Sequence, residues 1–96
     1  MSRPTRLLLA TLLAEPLVWR HGYDVSKETG LKAGTLYPLL IRLSDSGYLA
    51  SRWKAPVEPG RPSRHMYRLT SAGLALAREI AAEGQQAPGK LASARA

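Results

Sequence analysis

The sequence predicts a mainly α chain with one small β-hairpin, an α+β fold, and three observations carry that expectation. Leucines recur at helical spacing in two segments, Leu8, Leu9, Leu12 and Leu13, and then Leu36, Leu39, Leu40 and Leu43. After Tyr48 the apolar period changes to two, on either side of a loop rich in proline. The chain has 96 residues, 45% of them hydrophobic, which is the length and composition of one small globular domain.

The first helix is expected over residues 4–14. Pro4 suits a first helical turn, where its missing N–H would have no partner anyway, and Glu15-Pro16 ends the helix. The apolar run over residues 7–13 contains Thr11 and falls far short of the roughly 18 residues a membrane span needs. With its basic start it superficially resembles a secretory leader. The folded pattern that follows Pro16 favours a first helix and a cytoplasmic protein.

A short connection through Trp19 leads to a second helix over residues 22–29, with Tyr23, Val25 and Ser26 as its inner positions. Gly30 serves as a left-handed cap, Leu31 turns the chain, and a third helix spans residues 33–46. Its leucines at i, i+3, i+4 and i+7 form one stripe. The opposite face carries Lys32, Thr35, Pro38, Arg42 and Asp45, with Tyr37 at the boundary. Gly47 closes the helix. Two strands follow, over residues 48–55 and 64–69, the second with His65 and Tyr67 facing inward. The loop between them holds three prolines and Gly60, which forbid helix. Thr70 caps a fourth helix over residues 71–83. Residues 84–96 lack periodicity and read as a disordered tail, so the domain is expected to span residues 1–83.

Lys and Arg number 14 against seven acids, giving a formal net charge of +7. Such a charge on so small a chain points to polyanions: DNA, RNA or an acidic membrane surface. Five basic residues, Arg52, Lys54, Arg61, Arg64 and Arg68, fall within 17 residues against the single acid Glu58. Cysteine is absent, which excludes a disulfide framework, a thiolate metal site and a cysteine nucleophile. Paired carboxylates, metal-ligand spacings and phosphate loops are also missing, so an enzyme and a bound cofactor are not expected.

Two helices joined by a tight glycine turn form a helix-turn-helix, and a hairpin directly after them forms a wing. In a winged helix-turn-helix the third helix enters the major groove and the wing reaches the backbone or the adjacent minor groove. The basic cluster then falls on the wing. RNA is the weaker partner, because an A-form major groove is too narrow for a helix. The competing reading is a winged helix that binds protein and has lost DNA, which would be expected to shed the wing's basic residues.

Three strings sharpen this reading: Gly34-Thr35-Leu36-Tyr37-Pro38-Leu39-Leu40-Ile41-Arg42-Leu43, Gly47-Tyr48-Leu49, and Tyr67-Arg68-Leu69-Thr70-Ser71-Ala72-Gly73. Together with His21-Gly22-Tyr23-Asp24-Val25, they resemble PadR-type transcriptional regulators over residues 7–76. The resemblance implies a dimeric DNA-binding regulator, usually a repressor and sometimes released by a small molecule. Lys32 stands where the family often has serine. The short stretch beyond the fourth helix leaves the homodimer contact to the first and fourth helices.

The residues expected to meet double-stranded DNA are Lys32, Gly34, Thr35, Tyr37, Pro38, Arg42, Arg61 and Arg64. Lys32 and Thr35 lie at a helix N-terminus that favours phosphate, and Gly34 permits close approach. Tyr37 either donates to a phosphate or packs at the core edge. Pro38 sets the helix's entry angle or is a tolerated kink. Arg42 contacts phosphate or pairs with Asp45 or Asp24. Arg61 and Arg64 flank the wing tip and suit a narrow minor groove. Arg52, Lys54 and Arg68 are as readily solvated, His65 is a core or hydrogen-bonded residue, and Trp19 and Trp53 are core or dimer contacts.

Overall fold

The computed structural model describes residues 1–56, 59–60 and 64–95, with backbone alone for Arg64 and for 84–95. Helix α1 (Arg3–Ala14) carries proline in its first turn and seals Leu8, Leu9 and Leu12 in the core. Helices α2 (Gly22–Thr29) and α3 (Ala33–Asp45) follow, α3 ending one residue before the expected limit. Leu36, Leu39, Leu40 and Leu43 are all buried, so the predicted stripe is the face that meets the core. One expectation for α2 fails. Val25 is fully buried but Tyr23 is exposed, because residues two apart on a helix point to different sides.

The sheet has three strands where the sequence suggested two. Strands β2 (Leu49–Lys54) and β3 (Arg64–Leu69) pair antiparallel, with Ser51 opposite Tyr67 and Trp53 opposite His65. A two-residue strand β1 (Arg20–His21) pairs with the far edge of β3, Arg20 opposite Tyr67, to give the order β1-β3-β2. Central placement buries Met66 as well as Tyr67. Arg20 is 7% exposed. Its guanidinium pairs with Glu28, lies 3.9 Å from Glu15 and donates to the Thr11 carbonyl, tying α1, β1 and α2 together.

Helix α4 (Ser71–Arg95) packs against α1. Its backbone runs past the end expected near residue 83, in keeping with the helix-forming alanines at 81, 82, 87, 92 and 94.

The start of α4 is locked to the end of α3. Gly47 adopts φ 84°, and the Tyr48 N–H closes α3 on the Leu43 carbonyl at 2.9 Å. Thr70 donates its N–H to the Tyr48 carbonyl and its hydroxyl to the Gly47 carbonyl (2.6 Å), while that hydroxyl accepts from the Gly73 N–H at 3.0 Å. Gly73 has no alternative here, because a Cβ would lie 1.9 Å from the Tyr48 carbonyl oxygen. The Gly47-Tyr48 and Thr70–Gly73 strings of the sequence are thus two halves of one corner, which fixes β2 at the foot of α3.

Candidate nucleic-acid interface

The turn that presents α3 is closed by its own hydroxyls. Gly30, at φ 77°, returns its N–H to the Ser26 carbonyl at 2.9 Å. Thr29 donates its hydroxyl to the Val25 carbonyl (2.7 Å) and accepts the Leu31 N–H (3.1 Å), while the Ser26 hydroxyl donates to the Leu31 carbonyl (2.6 Å). Side chains therefore satisfy backbone groups that a three-residue connection cannot pair by itself. These bonds fix the path of the chain from α2 into α3.

Lys32 stands at the N-cap of α3 with extended backbone, and its carbonyl accepts from Thr35 and Leu36 at 2.9 Å. The first N–H groups of a helix have no intrahelical partner and face outward with the positive end of the dipole. Lys32, Gly34, Thr35, Tyr37, Pro38 and Arg42 are all exposed, on the side away from the leucine stripe. The structure thus brings six of the eight expected residues onto one helix surface. Arg42 forms no ion pair with Asp24 or Asp45 among the described residues, so its charge faces solvent. The helix passes through Pro38 without interruption.

Of the two roles expected for Tyr37, the geometry shows the packing one. It is 40% exposed, yet its ring lies over Gly22, where a Cβ would come within 2.6 Å of the phenol oxygen. The N-terminus of α2 and the middle of α3 meet through this contact. His21, Gly22, Tyr23, Tyr37 and His65 line a shallow cleft at the same place. Behind it, Tyr67 and His65 Nδ1 are 3.0 Å apart. Burial, and then the Tyr37 hydroxyl nearby, push the Tyr67 phenol above its ordinary value, so it stays protonated at neutral pH.

On the wing, His65 stacks on Trp53 with ring centroids 4.5 Å apart and planes inclined by 12°, and its bond with Tyr67 is the hydrogen-bonded role expected of it. Trp53 itself is largely exposed, not a core residue. Arg52 and Arg68 are not freely solvated. Their guanidiniums lie 4.4 and 4.7 Å from the Trp19 ring centroid, and Arg68 donates to the Leu17 carbonyl at 3.3 Å. Trp19 is held between two cations and pins the α1–β1 connection onto the wing. Nothing in the local pattern announces this, since the three residues are far apart in sequence. Arg61 and the Arg64 side chain lie outside the described residues.

Comparison with known proteins follows this geometry. A model of the transcriptional regulator PadR-like family matches residues 8–79. A PadR-like transcription factor from Bacteroides fragilis superposes with a TM-score of 0.74 at 26% identity, covering 95% of this chain and 91% of that one. A PadR family transcription regulator from hypervirulent Clostridium difficile R20291 gives 0.75 at 21% identity, covering 96% and 98%. MepR, a regulator of the Staphylococcus aureus multidrug efflux pump MepA, gives 0.76 at 19% identity and shares the fold; 97% of this chain spans 64% of its length. No curated protein sequence matches the chain.

Proposed function

The chain belongs to the PadR-like family of transcriptional regulators, and from that premise we propose that it is a sequence-specific DNA-binding repressor. Its domain, residues 1–83, seats α3 in the major groove. The wing, residues 50–69, rests on the backbone and the neighbouring minor groove. The observation that carries this reading is the two-sidedness of α3. Four leucines seal one side, while Lys32, Gly34, Thr35, Tyr37, Pro38 and Arg42 leave the other open.

The chemistry of each part follows. The α3 N-terminus and Lys32 offer N–H groups and a positive charge to a phosphate. Tyr37, braced on Gly22, offers a fixed hydroxyl to the backbone. Gly34 and Thr35 let the helix approach base edges, and Arg42 meets the far strand. Arg61 and Arg64 supply the wing's charge to the minor groove. A wing adapted to a protein partner has no use for Lys54, Arg61 and Arg64, the basic residues that Trp19 does not engage.

Two copies joined through α1 and α4 would present their α3 helices about one DNA turn, roughly 34 Å, apart to a two-fold symmetric site. No described helix is long and apolar enough to cross a membrane, and the site of action is taken to be the cytoplasm.

Titration of the protein against its own upstream DNA at several salt concentrations tests the reading. Binding is expected at low ionic strength, with log K falling linearly in log salt. The Arg61→Ala, Arg64→Ala double variant should weaken binding to every duplex and lower the salt slope by about 2 per protomer. Lys32→Ala, which removes a phosphate contact, should weaken binding about equally across sequences and lower the salt slope by about 1 per protomer. Silence at low salt overturns the proposal.

A further inference from the structure

The open face of α3 has an unusual chemical make-up for a surface that reads bases. In the major groove, Arg or Lys reads guanine, Asn or Gln reads adenine, Asp or Glu reads cytosine, and apolar groups meet the thymine methyl. This chain contains no asparagine at all, and its two glutamines, Gln85 and Gln86, lie in α4. No amide is therefore available on α3 or the wing to read adenine. What the open face offers instead is Ile41, a branched apolar side chain that is 60% exposed.

Ile41 does not stand alone. Gly34, Pro38 and Ile41 follow one another at i, i+4 and i+7, so they form a single ridge along the outer surface of the helix. Seven residues of helix make that ridge about 10 Å long, which is roughly three base-pair steps at 3.4 Å each. Exposed Lys32 and Arg42 flank it. The occupant that fits is polyanionic at its edges with isolated methyl-sized apolar spots between them. Duplex DNA bearing thymines has this character.

We propose that Ile41, with Pro38 beside it, makes this protein a reader of thymine C5-methyl groups, so that A·T pairs in its site are recognised from the thymine side. The inference rests on the DNA-binding reading above and adds the base that α3 selects. Ile41 is the specificity-determining residue, and Gly34 lets the N-terminal end of the ridge sink far enough for Ile41 to reach the methyl.

The test begins with a duplex selected by the intact protein from a randomised pool. Each thymine of that duplex is then replaced in turn by deoxyuridine, which removes only the methyl. The wild-type protein should lose about threefold to tenfold in affinity at one or two positions within each half-site, as burial of one methyl predicts. Ile41→Ser should bind thymine and uracil forms alike, while Ile41→Val keeps most of the discrimination. Circular dichroism checks that both variants, altered at an exposed position, remain folded. Tight binding with no thymine-to-uracil effect, or an undiminished effect in Ile41→Ser, overturns this inference and leaves DNA binding standing. A pool that enriches no duplex overturns the DNA reading, and this inference with it. If Ile41→Ser then also changes the oligomeric state, the face belongs to a second copy of the chain.

Discussion

Gly22 and Gly73 look equivalent in the sequence, each one residue in a family-like string, yet their surroundings give them opposite roles. A Cβ on Gly73 would drive into a backbone carbonyl at 1.9 Å. That backbone is held by Thr70 from both sides, so it has little room to yield. Gly73→Ala should therefore lower stability by about 2–3 kcal/mol in denaturant titration, the range for forced overpacking. A Cβ on Gly22 would instead meet the end of the Tyr37 side chain, which can swing away. Gly22→Ala should cost under about 1 kcal/mol of stability while displacing Tyr37, so DNA affinity should fall further than stability does. Equal stability losses in the two variants would contradict this division. The glycines are visible in the sequence; their partners, Tyr48 and Tyr37, lie 25 and 15 positions away and are not.

At the level of elements, the helices were legible and the wing's anchorage was not. The Leu36–Leu43 stripe, the Gly30 cap and the Thr70 cap are local patterns, and physics acting over four residues is enough to predict them. Strand β1 has only Arg20 and His21, too few for any periodicity, and it exists because β3 offers it an edge. The Trp19 clamp, likewise, joins residues on three separate segments. It uses two of the wing's cations to fasten the α1–β1 connection, with each cation–π contact contributing about 0.5–1 kcal/mol at a partly exposed site. Trp19→Leu should lower the unfolding midpoint by the equivalent of about 1–2 kcal/mol, and Trp19→Phe, which keeps a π face, should recover part of it. If leucine serves as well as phenylalanine, the contact is only apolar packing. Of the expected interface, the α3 residues were legible because an amphipathic helix defines its open side as soon as its closed side is known.

Across the whole molecule, β3 is the strand on which both halves depend. It is paired on one edge by β1 and on the other by β2, and its Tyr67 and Leu69 enter the same core as Leu36 and Leu40. The covalent link between residues 60 and 64 should therefore be dispensable. Fragments 1–60 and 61–96, mixed in equal amounts, should reassemble to native circular dichroism, and fragments that stay apart would contradict the dependence. The same arrangement bears on how the protein is made. Helix α3 leaves the ribosome well before the strand and helix that complete its supporting wall, so a nascent chain stalled before residue 69 should not bind duplex DNA. The core that orients α3 therefore closes only after β3 and the start of α4 have been made.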